Sequence, residues 1–374
     1  MTKKQTIFIS VLLVVVVAIA SVASFFIGRL TLGGEKFINE QLVLENKAKA
    51  EELLSSKVRL SCDGNGDFNI VVLADVHATG PISTSVQKDI RKIIDEEQPD
   101  LVLFTGDNAV CPDEETLRAA LDSIVGYIEE QQIPWCHVYG NHDHEGGMSK
   151  EEMQPIYESY EYCVSKWGDK TLTGVGNYVL PIYEYESDTI SNLIWCLDSG
   201  SMMSEEDIRD LIPNSCTDFS GIDYDAWGGY YDYIHADQIQ WYYETSTFLE
   251  DYLNQVTPSI MAFHMPLQEI YYAWNNRLAF ENWAGEKNDP IGASPINSGL
   301  FTAITQRGDV VATVSGHDHL NTFMVEYKGV MLSYSPGCST HGYYSNDTLG
   351  SRVFKMNSSD PFEIETYVHY LYRK

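Results

Sequence analysis

Positive charge is scarce in this chain: 24 Lys and Arg stand against 54 Asp and Glu, for a formal net charge of −30. A protein that grips a nucleic-acid backbone needs basic patches to displace counterions, so the composition argues against that class. Cysteine is equally uninformative as a metal signature. The seven Cys, at 62, 111, 136, 163, 196, 216 and 338, include no CxxC pair, so no zinc–thiolate site is indicated. Cys136 and Cys196 fall inside apolar runs and read as core residues; outside the cytoplasm others could pair, with an odd one left over. Asp63-Gly-Asn-Gly-Asp67 opens like a calcium loop, but its sixth position is Phe68 and its twelfth Ala74, which leaves a turn. No internal repeat and no low-complexity segment occurs apart from one apolar run at the N-terminus.

That run is the first positive feature. Lys3 and Lys4 precede unbroken apolar sequence from Ile7 to Gly28, closed by Arg29. At ~1.5 Å per residue such a helix crosses a ~30 Å hydrocarbon core, and it is longer than the ~7–15 apolar residues of a signal-peptide core. Residues 1–29 therefore read as an uncleaved signal anchor or transmembrane helix; the competing reading is a signal peptide cut near Ser21 or Ala23. The two lysines hold the N-terminus inside, so either reading puts the rest of the chain outside the cytoplasm, anchored or secreted. Residues 30–60, charged and helix-prone, read as a stalk or linker helix, and 61–374 as the folded domain; the chain as a whole, 44% hydrophobic and 21% charged, has the ordinary composition of a folded protein.

Within that domain the pattern alternates. Phe68–Ala74, Leu101–Phe104 and Trp135–Tyr139 read as buried strands, separated by helices over Ser85–Glu97 and Glu114–Gln131. Such alternation implies parallel strands with helical crossovers. Further strands are expected at Asn177–Tyr183, Leu193–Leu197, Ser259–Phe263 and Val310–Val314, with helices at Ala236–Asn254 and Asn297–Gln306. Thr322–Tyr327, Val330–Tyr334 and Phe362–Tyr370 read as antiparallel strands, and Ser199–Tyr233 as a long aromatic loop.

Five of these apolar runs end in metal-ligand types: Asp75-Val-His77, Gly106-Asp107-Asn108, Gly140-Asn141-His142-Asp143, His264-Met-Pro, and Gly316-His317-Asp-His319. Ligands gather at the carboxyl ends of strands in open α/β sheets. An x-separated pair such as Asp75 and His77, or His317 and His319, projects two side chains to one side of the chain. Taken singly, each residue reads as a cap, a turn or a core histidine. The set in this order carries the signal. Asp198 after Leu193–Leu197 reads equally as a residue of the site or a turn, while Tyr271-Tyr-Ala-Trp274 and His341 read as packing and surface loop before they read as substrate contacts.

The order resembles the calcineurin-like metallophosphoesterase superfamily, over roughly Phe68 to Tyr334, and Gly176-Asn-Tyr-Val-Leu-Pro, Leu197-Asp-Ser-Gly and Ser315-Gly-His-Asp-His-Leu-Asn are similar to its purple-acid-phosphatase-like branch. The resemblance implies an α/β metallo-dependent phosphatase fold, a two-sheet β-sandwich flanked by helices in an α/β/β/α order. It implies two metal ions: Asp75, His77 and His319 on the first, Asn141, His264 and His317 on the second, and Asp107 bridging. Iron, manganese and zinc all suit this donor set. His142 would contact the phosphate or protonate the leaving oxygen, with Asp143 orienting its imidazole. Val110 stands where purple enzymes carry their iron-ligating tyrosine, so a colourless protein is expected. The implied activity is hydrolysis of small phosphomonoesters by metal-activated hydroxide. A phosphodiesterase of nucleotides, lipid head groups or cell-wall polymers is the alternative enzyme, and a non-catalytic surface binding protein the alternative of another class.

Overall fold

The computed structural model describes residues 41–203 and 230–373. The apolar run Ile7–Gly28 and most of the loop Ser199–Tyr233 lie outside the described residues. Residues 41–53 are helical, within the stretch read as a stalk, and among the described residues no helix is long and apolar enough to cross a membrane. The sheets and the site belong to the compact unit that begins at Leu53.

Its frame is a pair of facing sheets. In the first, β2 (Asp67–Leu73), β3 (Leu101–Thr105) and β4 (Trp135–Val138) run parallel, with β14 (Gly350–Asn357) and β15 (Ile364–Tyr370) added antiparallel beyond β2. The crossovers are helices α1 (Thr84–Glu97) and α2 (Glu114–Glu130). Ser83 caps α1 by accepting from Val86 N, and Asp113 caps α2 by accepting from Thr116 N at 2.8 Å, satisfying donors that a helix start leaves orphaned. Gln98, left-handed at φ 46°, ends α1 just before Pro99.

Period-2 alternation decides which layer each strand residue enters. Phe68, Ile70 and Val72 of β2, with Leu101 and Leu103 of β3, point into the core between the sheets. Val71, Leu73, Val102 and Phe104 point the other way, against Val86, Ile90, Ile93 and Ile94 of α1 and Leu117, Leu121 and Ile124 of α2. Both faces are covered, which is why these strands read as nearly continuous apolar runs, interrupted in β2 by Asn69. The second sheet has the order β1-β5-β6-β9-β11-β13-β12-β10. Its central strands are β5 (Tyr178–Tyr183), β6 (Ile190–Cys196), β9 (Ser259–Ala262), β11 (Val310–Ser315), β12 (Met324–Tyr327) and β13 (Val330–Tyr334), flanked by two-residue edges β1 (Leu60–Ser61) and β10 (Trp283–Ala284). β6, β9, β11 and β13 are mutually parallel, so their carboxyl ends gather on one rim.

Several expectations are corrected. The helix expected from Asn297 begins at Leu300, because Gly299 sits in the left-handed region and Asn297 turns back to accept its N–H. Met202–Met203 and Tyr230–Tyr231 pair as an antiparallel ribbon (β7 and β8), so the described ends of the aromatic loop are not loop. Lys150–Glu158 (α3) and Glu269–Asn275 (α5, following α4 at Ala236–Leu253) are helices that no expectation covered. Cys136 and Cys196 are buried, as read, and the described cysteines are all free.

His137 makes the core sensitive to acid. Its ring is buried, stacked on Tyr157 at 3.9 Å, with Nδ1 2.8 Å from Ser165 Oγ. Burial pushes its pKa down to about 3. The unfolded chain takes up this proton near pH 6.5 and the native chain does not, so stability is full above 6.5 and falls as pH drops towards 3. The slope is about 1.4 kcal/mol per pH unit for one proton. Urea unfolding of His137→Gln between pH 6 and pH 4 should lose one proton's worth of that slope; an unchanged slope refutes the assignment.

Candidate metal centre

The strand-end residues meet on the rim where both sheets present their carboxyl ends. After β2 the chain turns through Asp75 (φ 56°) and His77 (φ 50°), after β3 through Asp107 (φ 52°), and after β11 through His317 (φ 74°). A left-handed backbone at non-glycine residues costs about 1–3 kcal/mol each and persists only where its surroundings impose it. Here Asp75 N donates to Gly106 O at 3.2 Å and His77 N to Asp107 O at 2.8 Å, tying the first two turns together.

Two groups of donors result: Asp75, His77 and His319, and Asp107, His264 and His317. In the first, His77 Nε2 lies 3.0 Å from His319 Nε2, and His319 Nε2 lies 3.5 Å from Asp75 Oδ1. In the second, His264 Nε2 lies 3.0 Å from Asn141 Oδ1, 3.3 Å from His317 Nδ1 and 3.2 Å from Asp107 Oδ2. The same Asp107 Oδ2 is 3.5 Å from His77 Nε2, so one carboxylate oxygen faces both groups. Its other oxygen accepts from His142 N at 2.8 Å, which fixes the carboxylate's rotation. The structure thus brings together all seven expected ligands.

These residues fit cations. His77 Nε2 and His319 Nε2, 3.0 Å apart, either share one proton or both turn a lone pair to a common cation. Asp75 Oδ2 is buried with no hydrogen-bond partner, a cost that a cation would relieve. His264 Nδ1 donates to Thr105 O at 2.7 Å and His319 Nδ1 to Tyr343 O at 2.6 Å, which presents Nε2 of both rings to the centre. Without a cation, protons take up the charge. Burial disfavours a charged His264, but Asp107 raises its pKa to about 9, while burial and His264 hold His317 well below the usual range.

Two glycines allow the approach. A Cβ on Gly106 would stand 2.6 Å from His264 Nδ1, and one on Gly140 would stand 2.1 Å from Asp107 Oδ1 and 2.4 Å from Asp107 N. Gly140→Ala should therefore destabilise the domain by at least about 2–3 kcal/mol in urea unfolding and weaken metal uptake. Wild-type stability in that variant would mean that the loops move apart freely.

The role expected of Asp143 is corrected. Its carboxylate does not touch the His142 imidazole; it accepts four backbone N–H groups, from Asp107 at 3.1 Å, Asn108 at 2.8 Å, Ala109 at 3.0 Å and Gly140 at 2.6 Å. Burial first, and Asp107 second, raise its pKa to about 6 against those donors. The 3₁₀ turn Asp143–Gly146 points Asp143 inward and brings Glu145 round to His142, Oε2 to Nδ1 at 2.7 Å. Asp198 is a buried structural acid, 2.8 Å from Lys150 Nζ and accepting from Val175 N. Trp274 stacks on Phe323 at 4.1 Å, the packing reading. The loop carrying His341 does reach the centre, but through Tyr343, which carried no motif.

A profile of the calcineurin-like phosphoesterase family matches residues 68–321. The chain belongs to that family, which hydrolyses phosphoesters with metal ions, and the two donor groups indicate a dinuclear centre. Among its relatives, "Probable inactive purple acid phosphatase 14" of Arabidopsis thaliana is 29% identical over 276 residues, 68% of this chain and 62% of that protein. "Probable inactive purple acid phosphatase 28" of Arabidopsis thaliana is 26% identical over 342 residues, 83% of this chain and 79% of that protein. "Phosphatase DCR2" of Saccharomyces cerevisiae is 29% identical over 303 residues, 71% of this chain and 46% of that protein. The match thus spans less than two thirds of the first and third. These relatives bear out the purple-acid-phosphatase-like branch.

Proposed function

We propose that the chain is an active phosphomonoesterase working on small phosphoesters outside the cytoplasm. The observation that carries activity is Asp107 Oδ2, shared between His77 and His264 at the junction of two complete donor groups. A binding protein without catalysis has no need to keep four non-glycine residues, all of them ligands of one group or the other, in the left-handed region. "Inactive" in a relative's name is a statement about that relative.

Bound cations would supply Lewis acidity toward the phosphoryl oxygens and lower the pKa of water. Asp75, His77 and His319 would hold one and Asn141, His264 and His317 the other, with Asp107 between. His142 stands beside them, its ring 5.5 Å from that of His77 and its side chain 43% exposed, open to substrate. With Nδ1 engaged by Glu145, Nε2 is the atom left to bind the phosphate or hand a proton to the leaving oxygen.

Small substrates are favoured by charge. The net charge is −30, and Lys150, which lines the groove beside His144, is committed to Asp198. Turnover of nitrophenyl phosphate against bis-nitrophenyl phosphate, with manganese, zinc or iron supplied, tests the preference: faster diester cleavage overturns it. The anchor reading of residues 7–28 and the external location stand on Lys3, Lys4 and the apolar run, and protease accessibility of the domain on intact cells tests both.

A further inference from the structure

We infer that Tyr343, braced by Asp289, is a positioning residue that fixes His319 for one of the two cations; this rests on the dinuclear reading above. Three contacts converge on that histidine from a single residue. The Tyr343 ring lies flat on the imidazole, centroids 4.0 Å apart and planes 7° apart. The Tyr343 carbonyl accepts His319 Nδ1–H at 2.6 Å, and the Tyr343 hydroxyl accepts the His319 backbone N–H at 3.2 Å. Ring tilt, tautomer and backbone are thereby all constrained.

The tyrosine is itself held. Its hydroxyl donates to Asp289 Oδ2 at 2.6 Å. Asp289 is pinned in turn by Asn321, whose Oδ1 accepts the N–H of Asn288 at 2.9 Å and of Asp289 at 3.0 Å. Asn321 closes the stretch Ser315-Gly-His-Asp-His-Leu-Asn321, so the ligand loop anchors the loop that braces its own histidine. Gly342 completes the cradle. It is left-handed at φ +74°, and a Cβ there would stand 3.1 Å from His319 Cε1 and 3.4 Å from His77 Cδ2.

Core packing does not account for this arrangement. Tyr343 is 38% exposed, on a turn, so its ring covers an imidazole rather than filling an apolar interior. Hydrogen-bonded partners that orient a metal-ligating histidine typically contribute 10–100-fold in metal affinity.

The test is a Zn²⁺ titration of the metal-free full chain against a chromophoric chelator, for wild type, Tyr343→Ala, Tyr343→Phe and Asp289→Ala, with urea unfolding of each metal-free variant. Tyr343→Ala keeps the backbone carbonyl on His319 Nδ1 but removes the stacked ring and the hydroxyl, so it should weaken one of the two binding steps by about 10-fold, the low end for such partners, and leave the other, and the metal-free unfolding midpoint, unchanged. Tyr343→Phe, which keeps the stacked ring and loses the hydroxyl, should recover part of that affinity, and Asp289→Ala should match it. Wild-type binding in Tyr343→Ala, or an equal loss at both steps with a lowered midpoint, overturns the inference and leaves the metallophosphatase reading standing. A wild-type chain that binds no Zn²⁺, Mn²⁺ or iron overturns both.

Discussion

Asp107→Asn protein should fold, lose metal and lose hydrolysis together. The Asp107 carboxylate faces both donor groups, and the amide would offer a neutral oxygen in place of a shared charge. Burial works against that charge, yet His264 and His77 hold Asp107 well below the usual carboxylate range, so it is ionised wherever the centre works. We expect metal content to fall below two ions per chain and the rate to fall by about 10³-fold or more. Metal analysis and turnover on one preparation decide the matter. Full occupancy with full rate in that variant would remove Asp107 from the bridge.

His142→Ala should do the opposite: keep both ions and lose rate. His142 offers only its backbone N–H to the ligand set, through Asp107 Oδ1, and alanine preserves that. A positioned proton donor contributes about 10²–10⁴-fold, and the loss should be larger for esters with poor leaving groups, which need the proton most. Glu145→Gln should lower the rate by a smaller factor, since it weakens the hold on Nδ1 without removing the ring. A full rate for His142→Ala on activated and unactivated esters alike would end its assigned role.

The strands and the candidate ligands were legible because the same runs carry both signals; their arrangement in two sheets came with the family resemblance. β2, β3 and β4 are covered on both faces, so their sequences are mostly apolar, with Asn69 and His137 the interior exceptions, and each run stops just before Asp75, Asp107 or Asn141. What was not legible is how side chains turn once the strand has ended. The family resemblance assigned Asp143 to the His142 imidazole. The 3₁₀ turn instead places residues three apart on one side, so the partner is Glu145. Tyr343 reaches His319 from 24 residues away through a turn with no periodicity to read. β14 was missed because Arg352 and Lys355 interrupt its apolar pattern. Arg352 is nonetheless buried, donating to Tyr334 O, Thr322 O and Thr366 Oγ1 in place of solvent. For α3 a usable signal was present: Ser149 and Glu152 form a capping box, though Pro155 inside the helix masks it.

Asp143 gives the centre a property of its own. The amides of Asp107, Asn108, Ala109 and Gly140 all end on its one carboxylate, so none can open to water without disturbing an acceptor that the others share. In native-state hydrogen exchange these four protons should behave as one cooperative group, released together in a single opening. Because the acceptor is protein and not metal, stripping the cations should leave that protection largely in place. The turn that carries Asp107 is then set before any ion arrives, and different metals meet the same preformed bridge.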